Sequence, residues 1–90
     1  MRTIRRTTQF KKDVKRVQKR GKDFTEFKRV IELLVEGKPL EEKHRDHALV
    51  GNWAGTRDCH IEPDWLLLYQ IDEEELILVR TGSHSDLFKK

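Results

Sequence analysis

One cysteine, two prolines and one methionine occur in ninety residues, and no apolar run approaches the length of a membrane span. The lone Cys59 excludes an internal disulfide and a thiolate zinc cage, and fits a reducing compartment. No apolar segment follows the basic start, Met1 to Arg6, so the expected protein is cytoplasmic, neither exported nor anchored. Ser/Gly linkers, internal repeats and low-complexity tracts are missing too. Residues 1–90 therefore read as one domain with a single lean core.

What is abundant is charge, at 39% against 36% hydrophobic residues, and it is unevenly placed. The first thirty residues carry twelve Lys or Arg against three acidic groups, while the remaining sixty carry seven basic and thirteen acidic. Such a basic block is either a solvated helix face or a surface for an anionic partner, nucleic acid or an acidic protein. The split between the halves favours the partner.

Arg2 to Thr7 is a short basic strand suited to a sheet edge. From Thr8, Phe10, Val14 and Val17 recur at helical spacing up to Gly21. Asp23-Phe24-Thr25-Glu26 offers a capping box for a second helix with Phe24, Phe27, Ile31 and Leu34 on one face, ended by Gly37, Lys38 and Pro39. The short connection predicts an antiparallel helical hairpin. Leu40 to Asp46 is a polar loop. Thr56 to Glu62 alternates, placing Asp58, His60 and Glu62 on one face and Cys59 and Ile61 on the other. Glu62-Pro63-Asp64 is a turn into the apolar strand Trp65 to Ile71, and Asp72 to Glu75 turns into Leu76 to Thr81, where Leu76, Leu78 and Arg80 share a face. The predicted fold is α+β: an N-terminal strand, a helical hairpin, then a three-stranded antiparallel meander. The helices cover one face of the sheet and the other stays open for substrate.

That open face collects chemistry. The meander can bring His47, His60 and His84 together, with Arg80 at a strand end, whereas His44 reads as an ordinary surface histidine. Two imidazoles titrating near neutrality can act as general base and general acid in one step. The pairing suits RNA cleavage, in which a base takes the 2′-OH proton, an acid protonates the departing 5′-oxygen and an arginine neutralises the phosphorane. The plainer alternative leaves the histidines exposed and Arg80 paired with an acidic neighbour. A metal site at His44, His47, Cys59, His60 and Asp64 lacks the repeated Cys/His pairs of a specific zinc motif, and Cys59 reads as a small buried residue rather than a nucleophile. Trp65 and Phe88 are each either core residues or walls of a nucleotide site.

The runs Asp46-His47-Ala48-Leu49-Val50-Gly51-Asn52-Trp53, Arg57-Asp58-Cys59-His60-Ile61-Glu62-Pro63-Asp64-Trp65 and Arg80-Thr81-Gly82-Ser83-His84-Ser85-Asp86-Leu87-Phe88, with Phe10, Asp13 and Lys15 in the first helix, resemble the YafQ family. These are toxins of the RelE superfamily from bacterial type II toxin-antitoxin systems. The resemblance implies an mRNA interferase that enters the ribosomal A site and cleaves the messenger by the 2′-OH route, without metal or cofactor. It further implies catalytic roles for His47, His60, Asp64, Arg80 and His84, and a messenger pocket shaped by Trp65, Phe88 and Arg80. Lys11, Lys12, Lys15, Arg16, Lys19 and Arg20 would grip ribosomal RNA or an antitoxin. The implied antitoxin is small and of the ribbon-helix-helix type. The RelE branch proper relies on Lys, Arg and Tyr, so its mechanism does not transfer. A non-catalytic binding module that keeps this fold, and a metal-dependent hydrolase, are the alternatives.

Overall fold

The computed structural model describes residues 1–88. Strand β1 (Thr3–Arg6) leads into α1 (Thr8–Lys19), which Thr7 caps by accepting the Phe10 N–H on Oγ1 at 2.9 Å. Helix α2 (Thr25–Glu36) ends at Gly37, whose φ of 74° is the left-handed conformation that glycine adopts without strain. The capping box expected at its start does not form. Asp23 accepts from the Thr25 N–H and hydroxyl in a local turn, while Glu26 is drawn away toward Lys43 and His44. Among the described residues no helix is long and apolar enough to cross a membrane.

The strands are completed by β2 (His47–Ala48), β3 (Arg57–Glu62), β4 (Trp65–Ile71) and β5 (Glu75–Gly82), with a one-turn helix α3 (His84–Leu87) behind them. Their spatial order is β1-β5-β4-β3-β2. Strands β3, β4 and β5 are the predicted antiparallel meander. Two further pairings frame it: β1 runs parallel to β5, and β2 extends the opposite edge. A parallel neighbour far away in sequence leaves no turn signal to read.

Two irregularities re-aim side chains. Leu68 stands opposite Arg80 and Tyr69 opposite Leu78, so Val79 is an extra residue on β5. The bulge corrects the expected sharing of a face: Leu76 and Leu78 point to the helices, and Arg80 turns to the far side with Leu68. A second register shift, beside Ile61, puts Glu62 opposite Trp65, from where it ion-pairs with Lys22 at 2.9 Å. Asp58 and His60 keep the far face as predicted, and Cys59 and Ile61 the helix side.

The main core lies between helices and sheet. Phe10, Val17, Phe27, Val30 and Leu34 pack on Cys59, Trp65, Leu67, Tyr69, Leu76 and Leu78. The far face is not bare, because Leu66, Leu68 and Leu87 gather Leu49, Trp53, Val79 and Phe88 into a smaller cluster. It anchors α3. Ser83 and Asp86 close a reciprocal capping box there, and Arg20 clamps Asp86 through two bonds of 2.6 and 3.0 Å. Gly82 has no room for a side chain, since a Cβ would lie 2.8 Å from Asp86 Oδ2 and 3.0 Å from Arg16 Nη2.

The Arg20 guanidinium, with help from Ser83, holds the Asp86 carboxyl well below the usual carboxylate range despite partial burial. A folded-state pKa below the unfolded one gives stability that is complete above about pH 4 and lost as the pH falls through the folded value. Undocking of α3 in acid is therefore expected. It should appear as faster amide exchange at Leu87 and Phe88, whose N–H groups donate to Ser83 O and His84 O, before the sheet amides respond.

Candidate active site

Strand register explains how residues distant in sequence share the far face. His47 faces Asp58 across β2 and β3, Asp58 faces Leu68, and Leu68 faces Arg80. Three strand spacings of about 4.8 Å separate the ends of this row by roughly 14 Å. The next row runs His60, Leu66, Gly82 and delivers the chain to His84. The His60 ring centre consequently lies 6.5 Å from that of His47 and 5.7 Å from that of His84. The three predicted histidines do converge, with His60 in the middle.

Each ring is held differently. Asp64 Oδ1 lies 2.6 Å from His84 Nδ1 and accepts the His84 backbone N–H at 2.9 Å. That backbone bond, then the ring bond, holds the Asp64 carboxyl below its ordinary range. A carboxylate only accepts, so Nδ1 of His84 carries the proton and Nε2 is left for solvent or substrate. His47 donates Nδ1–H to Arg45 O at 2.7 Å, and its Nε2 stands 3.6 Å from Asp58 Oδ2. His60 Nδ1 is buried and has no hydrogen-bond partner among the described residues. Asp58, beneath this group, is buried. Burial pushes its carboxyl up, against the pull of His60, His47 and His84. The sequence placed Asp58 on the right face but did not single it out; alternation with His60 was the available signal.

Arg80 is both paired and available. Its Nε and Nη2 donate to Asp13 at 3.0 and 3.1 Å, whereas Nη1 has no partner among the described residues. Asp13 is fully buried and also accepts from Arg16 Nη2, Gln9 Nε2 and the Thr81 N–H. Burial raises its carboxyl, but these donors, Arg80 first, outweigh burial and leave it below the usual range. Asp13 sits where β1 has ended and the β5 edge is open. It satisfies a sheet N–H that no strand covers.

Other expectations need correcting. His44 is no surface histidine: it is buried, donates Nδ1–H to the His60 carbonyl at 2.7 Å and presents Nε2 to Glu26 at 3.0 Å, tying α2 to the backbone of β3. Arg16 and Arg20, expected to grip an anionic partner beside the lysines, are turned onto Asp13 and Asp86. Lys11, Lys12, Lys15 and Lys19 remain exposed. Trp65 is not a wall of a nucleotide pocket. It is 1% exposed on the helix side, 5.4 Å from Phe27 and 5.1 Å from Phe24, and donates Nε1–H to Thr81 Oγ1 at 2.9 Å. Trp65→Ala is accordingly expected to cost about 3–5 kcal/mol of stability, and Trp65→Phe to retain the fold. Urea unfolding of the two variants checks this. Phe88, by contrast, is half-buried edge-on to Trp53 on the site face, at 6.1 Å. Cys59 is inert, because burial pushes its thiol up.

A cleft of about 560 Å³ opens beside the histidines, lined by Lys43, Arg45, His60, Pro63 and His84 among others. Among the described residues no three His, Cys, Asp or Glu side chains gather in a metal-holding group. The two long helices on one face of a five-stranded sheet and a row of imidazoles and carboxylates on the other define a small α+β protein with a histidine-lined face.

The family model for the bacterial toxin of type II toxin-antitoxin system, YafQ, matches residues 2–89. The chain belongs to this YafQ family of toxins. It is 44% identical over 88 residues to the mRNA interferase toxin YafQ of Escherichia coli strain K12, covering 97% of this chain and 96% of the relative. The toxin in the crystal structure of the E. coli DinJ-YafQ toxin-antitoxin complex superposes with a TM-score of 0.90 at 44% identity, over 97% of each chain. A metal-bound toxin from Helicobacter pylori superposes with a TM-score of 0.91 at 44% identity, over 98% of this chain and all of that one.

Proposed function

We propose that this toxin is an mRNA interferase, a ribosome-dependent endoribonuclease that stops translation by cutting the messenger through general acid–base catalysis. The observation that carries the reading is the His60 and His84 pair, 5.7 Å apart, with His84 fixed by Asp64 so that Nε2 is free. A phosphodiester placed between the two rings meets a proton acceptor on one side and a donor on the other. One imidazole removes the 2′-OH proton, O2′ attacks phosphorus and the P–O5′ bond breaks. The other imidazole protonates O5′, leaving a 2′,3′-cyclic phosphate.

Asp64 keeps the tautomer of His84, which makes His60 the counterpart in proton transfer. Asp58 and the Arg45 carbonyl orient His47 as a supporting group. Arg80 offers Nη1 to the charge that develops on the phosphoryl oxygens. Phe88 and Trp53 border the face on which a messenger base would lie. The exposed Lys11, Lys12, Lys15 and Lys19 supply a sequence-independent grip on ribosomal RNA. The same lysines suit an acidic segment of a small ribbon-helix-helix antitoxin.

Primer extension on a translated messenger tests the reading, with wild type, His84→Ala and a chelator arm in parallel. Cuts inside codons that persist in chelator and vanish in His84→Ala are expected. Translation blocked without cutting, equally by both proteins, would mean a binding module. Cuts abolished by chelator would mean a metal-dependent enzyme, the reading to which the metal-bound relative lends weight.

A further inference from the structure

We infer that Arg45 is a phosphate-binding residue for the RNA strand in the cleft beside His60 and His84; this rests on the nuclease reading above. Arg45 is the one non-glycine residue with positive φ among the described residues, at 46°. A side chain in that conformation is strained, and glycine there would be relaxed. It follows the single helical turn Glu42–His44, where nothing in the packing demands an arginine. Arg45 lines the cleft that His60 and His84 also line.

Glu42 apart, the neighbouring charges are already matched. Lys43 meets Glu26 and Glu41, Arg29 meets Glu41, Arg57 meets Asp46, and Glu62 meets Lys22. The Arg45 guanidinium has no ion-pair or hydrogen-bond partner among the described residues. An unmatched cation at the rim of a cleft floored by proton-transfer groups fits a phosphate one step along the strand from the bond being cut. The same residue's carbonyl receives the His47 Nδ1–H. Its backbone thus orients the site while its side chain is left for the substrate.

Because glycine keeps the carbonyl and tolerates the φ, Arg45→Gly deletes the guanidinium without straining the chain. The experiment measures cleavage of a translated messenger against protein concentration at several salt concentrations, for wild type, Arg45→Gly and Arg45→Lys. It also measures binding of His84→Ala, with and without Arg45→Gly, to ribosomes carrying a messenger and to empty ribosomes. Arg45→Gly should raise the half-saturating concentration roughly tenfold, leave the thermal midpoint as high as wild type, and reduce the log–log salt slope by about one. Arg45→Lys should restore most of the affinity. The binding deficit should appear on messenger-loaded ribosomes and be absent on empty ones; an equal deficit on both would assign the contact to ribosomal RNA and overturn the messenger assignment. Unchanged concentration dependence and salt slope in Arg45→Gly would overturn the proposal. If wild type binds loaded ribosomes without cutting, the nuclease reading fails, and the binding arms still decide whether Arg45 holds RNA.

Discussion

Asp13→Ala is expected to lower the unfolding free energy by about 3–5 kcal/mol and the thermal midpoint by about 12 °C or more. The carboxylate is fully buried and gathers donors from Arg80, Arg16, Gln9 and the Thr81 backbone. Truncation leaves guanidinium groups and a sheet N–H facing apolar surroundings, and the desolvation of those groups dominates the cost. Asp13→Asn keeps the shape and one acceptor but presents an amide N–H2 to Arg80, so it should fall between the two. Activity should drop with stability in Asp13→Ala, because Arg80 loses its support and Nη1 is no longer aimed. Urea midpoints and single-turnover cleavage on the same preparations separate the effects. An Asp13→Ala protein within about 1 kcal/mol of wild type would show that the network is not what secures the end of β5.

His84→Gln should leave stability almost untouched and reduce the single-turnover cleavage rate by about 10²–10⁴-fold. Its side chain is about half exposed and touches little besides Asp64, so the loss belongs to chemistry rather than folding. Glutamine can still donate to Asp64 but offers nothing that takes up and returns a proton near neutral pH. Asp64→Asn makes the complementary test. It keeps one acceptor for Nδ1–H but removes the negative charge that favours the protonated ring, and the rate should fall less than in His84→Gln, with a changed pH profile. A His84→Gln protein that cuts within tenfold of wild type would remove His84 from the proposed proton transfer.

Much of the architecture was legible because it rests on local patterns. Helical spacing at Phe10, Val14 and Val17 and alternation through Asp58 and His60 mark elements whose packing agrees with their periodicity. The approach of His60 and His84 followed from the meander, while His47 joins them through the β2–β3 pairing. What escaped were features decided by contacts far apart in sequence. The Val79 bulge reversed the face of Arg80, and nothing in Leu76 to Thr81 marks an extra residue. The parallel β1–β5 pairing, and Asp13 closing the edge beyond it, involve residues more than sixty positions apart. Histidine composition cannot separate His44, buried under α2 and bonded to the His60 carbonyl, from the other three. Trp65 was misassigned because an aromatic at a strand start serves a core or a nucleotide equally well. Its face follows only from the partner it stacks on, Phe27.

The pairing of β1 with β5 also sets when the molecule becomes dangerous. Strand β4 and the histidines of β2 and β3 emerge during synthesis without their closing neighbour. The first helix cannot lodge Asp13 against Arg80 and Thr81 until the far end of the polypeptide exists. Contacts spanning nearly the whole chain form late and together. A nascent chain therefore has its two helices and an unfinished sheet but no assembled histidine face. The histidine face is complete only once the last strand has left the ribosome that made it.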